Sequence, residues 1–156
     1  MIEEFLEYLY LTDILNEEEL QILRPLVDQV SCEAQKTVFE QGEEAKYLYL
    51  VTEGEVVIRF NPEDGAAITV STVGKGDVFG WSSIFGSHTY TSCAVCREDG
   101  KLLRIKGLDL KKLCEEHPAI GILILERLAS VIASRLKGTQ NQVVELLHQG
   151  LKNKKL

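Results

Sequence analysis

Histidine is scarce in this chain, with three in 156 residues, and the three stand far apart at His88, His117 and His148. Metal-dependent oxygenases built on small β-barrels need two or three histidines and a carboxylate converging on one ion. No such group is expected here, no nucleophile–base arrangement is visible, and the chain is not expected to be an enzyme. Cysteine is also sparse, at four residues. Cys93 and Cys96 have the spacing of a metal-ligand pair, but on an extended strand residues i and i+3 face opposite sides. With Cys32 and Cys114 isolated, all four are expected as buried free thiols in a reducing compartment. No apolar run is long enough to span a bilayer, and Met1-Ile2-Glu3-Glu4 lacks the basic start of a leader peptide, so the expectation is a cytoplasmic protein without a membrane partner. Positive charge is short as well: 17 Lys and Arg against 24 Asp and Glu leave a net charge of −7. A nucleic-acid reader needs a basic face to displace counterions from phosphates, so no nucleic-acid partner is expected.

With 45% apolar residues, the chain can build one domain with a full core. Between about Ser31 and Ile105 it reads as short strands with period-two alternation: Tyr47, Tyr49 and Val51, then Val56, Ile58 and Phe60, then Ile68 and Val70. Turns fall at Gly42, Glu53-Gly54, Asn61 to Gly65 and Glu98-Asp99-Gly100. Many short strands at this spacing predict a jelly-roll or small β-barrel.

Helices flank the β region. Asn16 and Glu19 form a capping-box pattern ahead of the apolar stripe Leu20, Leu23 and Val27. Pro25 within that stripe predicts a kink or a late start. An earlier amphipathic segment, Phe5 to Leu11, ends at Thr12-Asp13. On the other side Leu108 to Leu113 predicts a short helix closing near His117-Pro118, followed by a long one reaching about Leu151. From Leu125 in that helix, Ala129, Ile132, Leu136, Thr139, Val143 and Leu146 recur at alternating spacings of four and three, the heptad pattern of a helix–helix seam. Gly138 interrupts it as a hinge or a point of close approach.

The segment with most chemical content is Gly74-Lys75-Gly76-Asp77-Val78-Phe79-Gly80-Trp81-Ser82-Ser83. A glycine-rich turn feeding a helix start aims backbone N–H groups at one point, so the segment predicts an anion pocket. The same glycines also suit a purely structural turn that needs φ > 0, with Asp77 accepting from its own backbone.

The order of elements, together with Phe39 to Glu43, Leu48 to Val56, Gly76-Asp77-Val78-Phe79-Gly80 and the closing run Leu128 to Leu136, resembles the cyclic nucleotide-binding domain. That domain is shared by the catabolite activator protein group and protein kinase A regulatory subunits, and the resemblance runs from about Leu15 to Val144. It implies an α+β fold, an eight-stranded β jelly-roll (double-stranded β-helix) with N-terminal helices and a long C-terminal dimerisation helix. As one domain, this divides into N-terminal helices over 1–30, a β-roll over 31–106 and C-terminal helices over 107–156. It also implies a homodimer and a ligand site at Phe79, Gly80, Trp81, Ser82, Ser83, Tyr90, Thr91 and Ser92. Thr139 and Gln140 stand where catabolite activator relatives reach from the dimer helix to the purine, with polar groups able to read a base edge. Such relatives carry a helix-turn-helix after that helix, whereas here only Leu151 to Leu156 follows, so no reader domain is expected.

The chain departs from the family at two signature positions. The glutamate that bonds the ribose is replaced by Trp81, and the arginine that pairs with the cyclic phosphate by Tyr90. Losing one partner of a charge-assisted pair in a closed site costs roughly 2 to 5 kcal/mol, which turns a micromolar ligand into a millimolar one. Backbone amides near Ser82 and Ser83, the hydroxyls of Ser82, Ser83, Tyr90 and Thr91, and His88 are the candidates for compensation; Arg97 and Arg104 are the nearest arginines. Trp81 either stacks on a ligand ring or fills the cavity, and filling is the commoner use of a large ring. No cofactor is expected; cyclic AMP or cyclic GMP is the ligand the resemblance suggests. The expected function is a non-enzymatic regulatory module, its small anionic ligand coupled to a dimer helix and its protein partner unidentified. The alternative is a ligand-free dimerisation or scaffold domain with the pocket closed by Trp81. A haem or metal sensor comes third.

Overall fold

The computed structural model describes residues 2–85 and 88–134. Helix α1 (Ile2–Tyr8) buries Ile2, Phe5 and Leu6, positions that fall on one helical face. Helix α2 (Glu17–Leu23) begins with the expected capping box: the Glu19 N–H donates to Asn16 Oδ1 at 2.9 Å, and the Asn16 N–H to Glu19 Oε1 at 3.0 Å. Pro25, expected to kink this helix or delay its start, instead helps to end it. The α-helix stops at Leu23 and Arg24–Leu26 form a 3-10 turn, because proline has no N–H with which to continue the ladder. Val27 then pairs with Ile105, so strand β1 (Val27–Cys32) starts the β region ahead of the expected residue 31.

Seven more strands follow: β2 (Thr37–Phe39), β3 (Tyr47–Glu53), β4 (Val56–Phe60), β5 (Ile68–Val73), β6 (Val78–Phe79), β7 (Cys93–Cys96) and β8 (Gly100–Lys106). They form two antiparallel four-stranded sheets, ordered β1-β8-β3-β6 and β2-β7-β4-β5, the jelly-roll arrangement. Helix α3 (Gly107–Glu116) follows directly, and after His117 the chain is helical again over 118–134, here called α4.

Two cores result, one on each side of the first sheet. On its outer face Leu48, Leu50, Val78, Leu103 and Ile105 meet the helices, including Phe5, Leu23, Leu110, Ile124 and Leu128. On its inner face Tyr49, Val51, Phe79 and Leu102 meet Phe39, Val56, Ile58, Tyr90 and Ala94. Strand β3 is therefore buried on both sides, which explains why its sequence is almost uniformly apolar rather than alternating with polar residues. In contrast Ile68 and Val70, grouped in sequence with the apolar strand faces, are each 55% exposed on the edge strand β5.

Helix α4 has two apolar faces. Ile120, Ile124, Leu128 and Ile132 lie against the domain's own core, and Ile132 is thereby corrected from its expected place in the intermolecular seam. The helical twist puts Ile122 and Ala129 on another face, where Ile122 is 52% exposed, while Leu125, also expected in the seam, packs partly against the domain's own core. The remaining seam positions, with Gly138, Thr139 and Gln140, lie outside the described residues.

The cysteines depart from expectation. Cys32 at the end of β1 and Cys96 at the end of β7 form a disulfide that joins the two sheets across 64 residues of sequence, with Cα atoms 6.3 Å apart. Only Cys93 and Cys114 are free thiols. Sequence spacing could not reveal the pair because the roll, not the chain, brings β1 beside β7. Alkylation of the denatured protein without reductant is expected to label only Cys93 and Cys114, and reduction to expose the other two. Closing a loop of this length stabilises by about 2–4 kcal/mol, so reductant should lower the unfolding midpoint. Four labelled cysteines before reduction would show that the bridge does not form.

Candidate functional site

The turn ahead of the predicted pocket is built by backbone requirements. Gly76 (φ +87) and Gly80 (φ +78) both sit in the left-handed region. The Gly76 N–H donates to Val51 O at 2.8 Å, and the Val51 N–H to Asp77 O at 3.0 Å, tying the turn to β3. A side chain on Gly80 would meet Tyr47 O at 3.0 Å, so this position demands glycine for space as well as for conformation. Behind it the expected short helix is a 3-10 turn of three residues, Trp81–Ser83. That is too short to act as an anion-binding helix terminus. The Ser83 N–H and hydroxyl both donate to Gly80 O, at 3.2 and 2.9 Å. Ser83 is buried, and its carbonyl lies against Gly107 at the start of α3, where a Cβ would overlap it.

Most of the predicted site residues do converge. Phe79, Gly80, Trp81 and Ser82 on one side and Tyr90, Thr91 and Ser92 on the other line one cavity, completed by Phe39 and Ile58. Ser83 faces away from it. Phe39 and Ile58 were not singled out in the sequence because they read as ordinary inward-facing strand residues. The cavity volume is about 70 Å³, well below the ~300–1,000 Å³ of small-molecule sites.

Tyr90 is the reason. It is only 5% exposed, and its ring stacks on Phe39 with centroids 3.6 Å apart and planes 9° apart. Its hydroxyl donates to Tyr47 O at 2.7 Å and accepts from the Tyr47 N–H at 3.1 Å. The hydroxyl expected to help hold a ligand is thus committed to the β3 backbone. Burial pushes the Tyr90 phenol up to about 12, so the hydroxyl stays a neutral donor. Tyr49 and Phe79 stack beside this pair, at 5.1 Å and 12°. Trp81, expected to close the pocket, lies half-buried at its edge and packs toward the helix-side core. Closure is the work of Tyr90.

Other candidates for compensation are placed elsewhere. His88 is exposed at φ +62, and its carbonyl accepts from the Ala45 N–H at 2.7 Å. Arg97 pairs with Glu55 at 2.9 Å on the surface. Arg104 faces inward but lines a different cleft, with Tyr49 and Lys36. An arginine inside the apolar run Leu102-Leu103-Arg104-Ile105 was the available signal for it. Among the described residues no group of three or more His, Cys, Asp or Glu could hold a metal ion. No helix among them is long and apolar enough to cross a membrane.

Residues 29–117 match the family model of the cyclic nucleotide-binding domain, and the chain belongs to that family. It is 31% identical over 111 residues to the CRP-like cAMP-activated global transcriptional regulator of Mycobacterium tuberculosis, a match that covers 71% of this chain and 48% of that protein. It is also 31% identical over 102 residues to the cyclic AMP receptor protein of Thermus thermophilus, covering 65% of this chain and 45% of the receptor. The chain spans about half the length of the curated relatives it matches. Among solved structures, the Thermus thermophilus catabolite activator protein superposes with a TM-score of 0.67 at 27% identity, over 89% of this chain and 62% of that one. A cyclic nucleotide-binding domain from Methylobacillus flagellatus shares the fold, with a TM-score of 0.80 at 20% identity over 92% and 82% of the two chains.

Tyr90→Phe would leave the Tyr47 N–H and carbonyl without this partner. It is expected to destabilise the domain by about 1–3 kcal/mol in denaturant titration. The phenol's folded pKa is above its unfolded value, so its contribution is full below about pH 10 and lost as pH rises toward 12. The difference between wild type and Tyr90→Phe should shrink across that window.

Proposed function

We propose that this chain is a non-enzymatic regulatory domain in which the cyclic-nucleotide pocket has been taken over by the domain's own side chains. The observation that carries this reading is Tyr90, stacked on Phe39 and bonded to Tyr47 where the family's resemblance puts the phosphate-binding arginine. A ring in that place removes the guanidinium and occupies the volume an anion would need, and Trp81 leaves no carboxylate for the ribose. In this reading cyclic AMP is not the signal, and output passes through α4 and its homodimer contacts. The exposed face of α4 supports the dimer: Ile122 and Ala129 are exposed on one side of the helix, apolar positions of the kind that pair with a second helix. Coupling a signal to that helix requires that whatever binds the domain favour one helix arrangement over another.

A ligand-gated reading is favoured by one feature, the glycine turn that still brings Phe79 to Ser82 and Tyr90 to Ser92 around a common cavity. Thermal denaturation with cyclic AMP and cyclic GMP at about millimolar concentration separates the two. A ligand at ~100 times its Kd adds about 2.7 kcal/mol, enough to move the midpoint by several degrees. No shift is expected for wild type, while a shift of about 5 °C or more with either nucleotide would establish the gated reading in its place. Ile122→Glu is expected to shift the protein from dimer to monomer in sedimentation experiments without loss of folding, since a charge on an exposed apolar face disfavours helix pairing. A variant that remained dimeric would remove this face from the interface.

A further inference from the structure

The Cys32–Cys96 bridge lies at the corner where the chain passes from one sheet to the other. Cys32 ends β1, Cys96 ends β7, and residues 33–36 lead from Cys32 to β2. Backbone bonds tie the same corner: the Gln35 N–H donates to Cys96 O at 2.7 Å and the Cys96 N–H to Lys36 O at 2.8 Å. The Ala34 N–H donates to Asp99 Oδ1 at 2.7 Å. These bonds keep the two cysteines side by side with or without the bridge. Within the corner Gln35 has φ +70, left-handed backbone that a residue with a side chain adopts only at a cost.

The two ends of the bridge differ in access. Cys32 is half-buried and lines the open cleft between β1 and β2, whereas Cys96 is 1% exposed. An incoming thiol therefore meets the bridge at Cys32, and accessible bridges are the ones that exchange. The domain also has two cores of its own, unlike the small folds that depend on disulfides. Cys93 and Cys114 remain thiols, so the chain is not a fully oxidised scaffold. Strand β2, which the bridge helps to hold, has three residues, and its one neighbour among the described strands is β7, with a register shift between Thr37 and Phe39. Its last residue, Phe39, carries the ring on which Tyr90 stacks. Both rings belong to the same inner core as Cys96, with Cys32 packed against it.

We propose that Cys32–Cys96 is a reversible redox switch, opened by a dithiol reductant, that sets how firmly Phe39 is held against Tyr90. A thiolate of the dithiol attacks Cys32 Sγ, the S–S bond breaks, and Cys96 leaves and takes up a proton. The second thiol of the reductant then displaces Cys32 from the mixed disulfide. The reductant ends as a disulfide, and the protein gains two electrons and two protons as two thiols. A disulfide of the same chemical class reverses the sequence, because the corner bonds keep the thiols within reach of each other. With the bridge open the corner relaxes at Gln35, β2 keeps only its short ladder, and the Phe39 ring loosens from Tyr90. The switch acts on the domain's own packing and does not require the cassette cavity to take a ligand.

The test is NMR spectroscopy of the full chain with the bridge formed and after addition of dithiothreitol. Dithiothreitol in the millimolar range is expected to open the bridge with the dispersed spectrum of a folded domain retained, and oxidised glutathione to close it again. On reduction the Gln35 amide should exchange with solvent at least ~10-fold faster, the mark of local opening. The Tyr90 ring protons, shifted by the Phe39 stack, and the Val38 and Phe39 amides should move, while those of Phe5 and Leu23 stay in place. Cys32→Ala should show the reduced positions of the Tyr90 ring and no response to dithiothreitol. The proposal is overturned if the bridge opens only when the domain unfolds, or if reduction itself unfolds the domain, since either makes the bridge a structural staple. It is also overturned if the bridge opens and the Tyr90 ring does not move, the result for a bridge that only constrains the unfolded chain.

Discussion

Burial of one sheet on both faces is the constraint from which the rest of this structure follows. The β1-β8-β3-β6 sheet offers Leu48, Leu50, Leu103 and Ile105 to one side and Tyr49, Val51, Phe79 and Leu102 to the other. Neither set can remain in water, so the helices must cover the outer face and the second sheet must close over the inner one. Helix α4 is held by that demand through Ile124 and Leu128, both fully buried. It is therefore part of the domain itself. Strands β3 and β8 supply the layer to which the helix is bound.

The inner face explains why the cassette cavity is small. A phosphate site needs donors that point into an open volume and have nothing better to bond. Here Tyr90 donates to Tyr47 O and Ser83 to Gly80 O, so two of the hydroxyls beside the cassette are used to fasten it. The aromatic group of Phe39, Tyr49, Phe79 and Tyr90 then fills the space with ring contacts. Stacked rings contribute packing energy beyond the area they bury. The family's glycine turn is retained, because Gly80 is needed wherever β6 passes this close to the β3 backbone, with or without a ligand.

Much of the architecture could be read along the chain. The Asn16–Glu19 capping box, the helix closing near His117 and the succession of short strands depend on contacts between near neighbours, which local spacing records. The glycines of the cassette turn were legible for the same reason. Three other features were not. The Cys32–Cys96 bridge joins strands of different sheets, the edge position of β5 leaves Ile68 and Val70 exposed despite their apolar character, and Ile132 turns inward rather than toward a partner helix. In each case the residue type is compatible with either outcome, and its surroundings come from distant parts of the chain.

The same division runs through the candidate site. The amino-acid sequence alone determined the family, the strand and helix types, the left-handed glycines, and the presence of Trp81 and Tyr90 where a carboxylate and a guanidinium would serve a nucleotide. These are properties of residue type and spacing. Only the tertiary structure decided that Tyr90 rather than Trp81 closes the cavity, and that Arg104 faces inward beside Tyr47. The direction of a side chain within a roll is set by which strands meet across it, and strand pairing over tens of residues leaves no trace in local pattern.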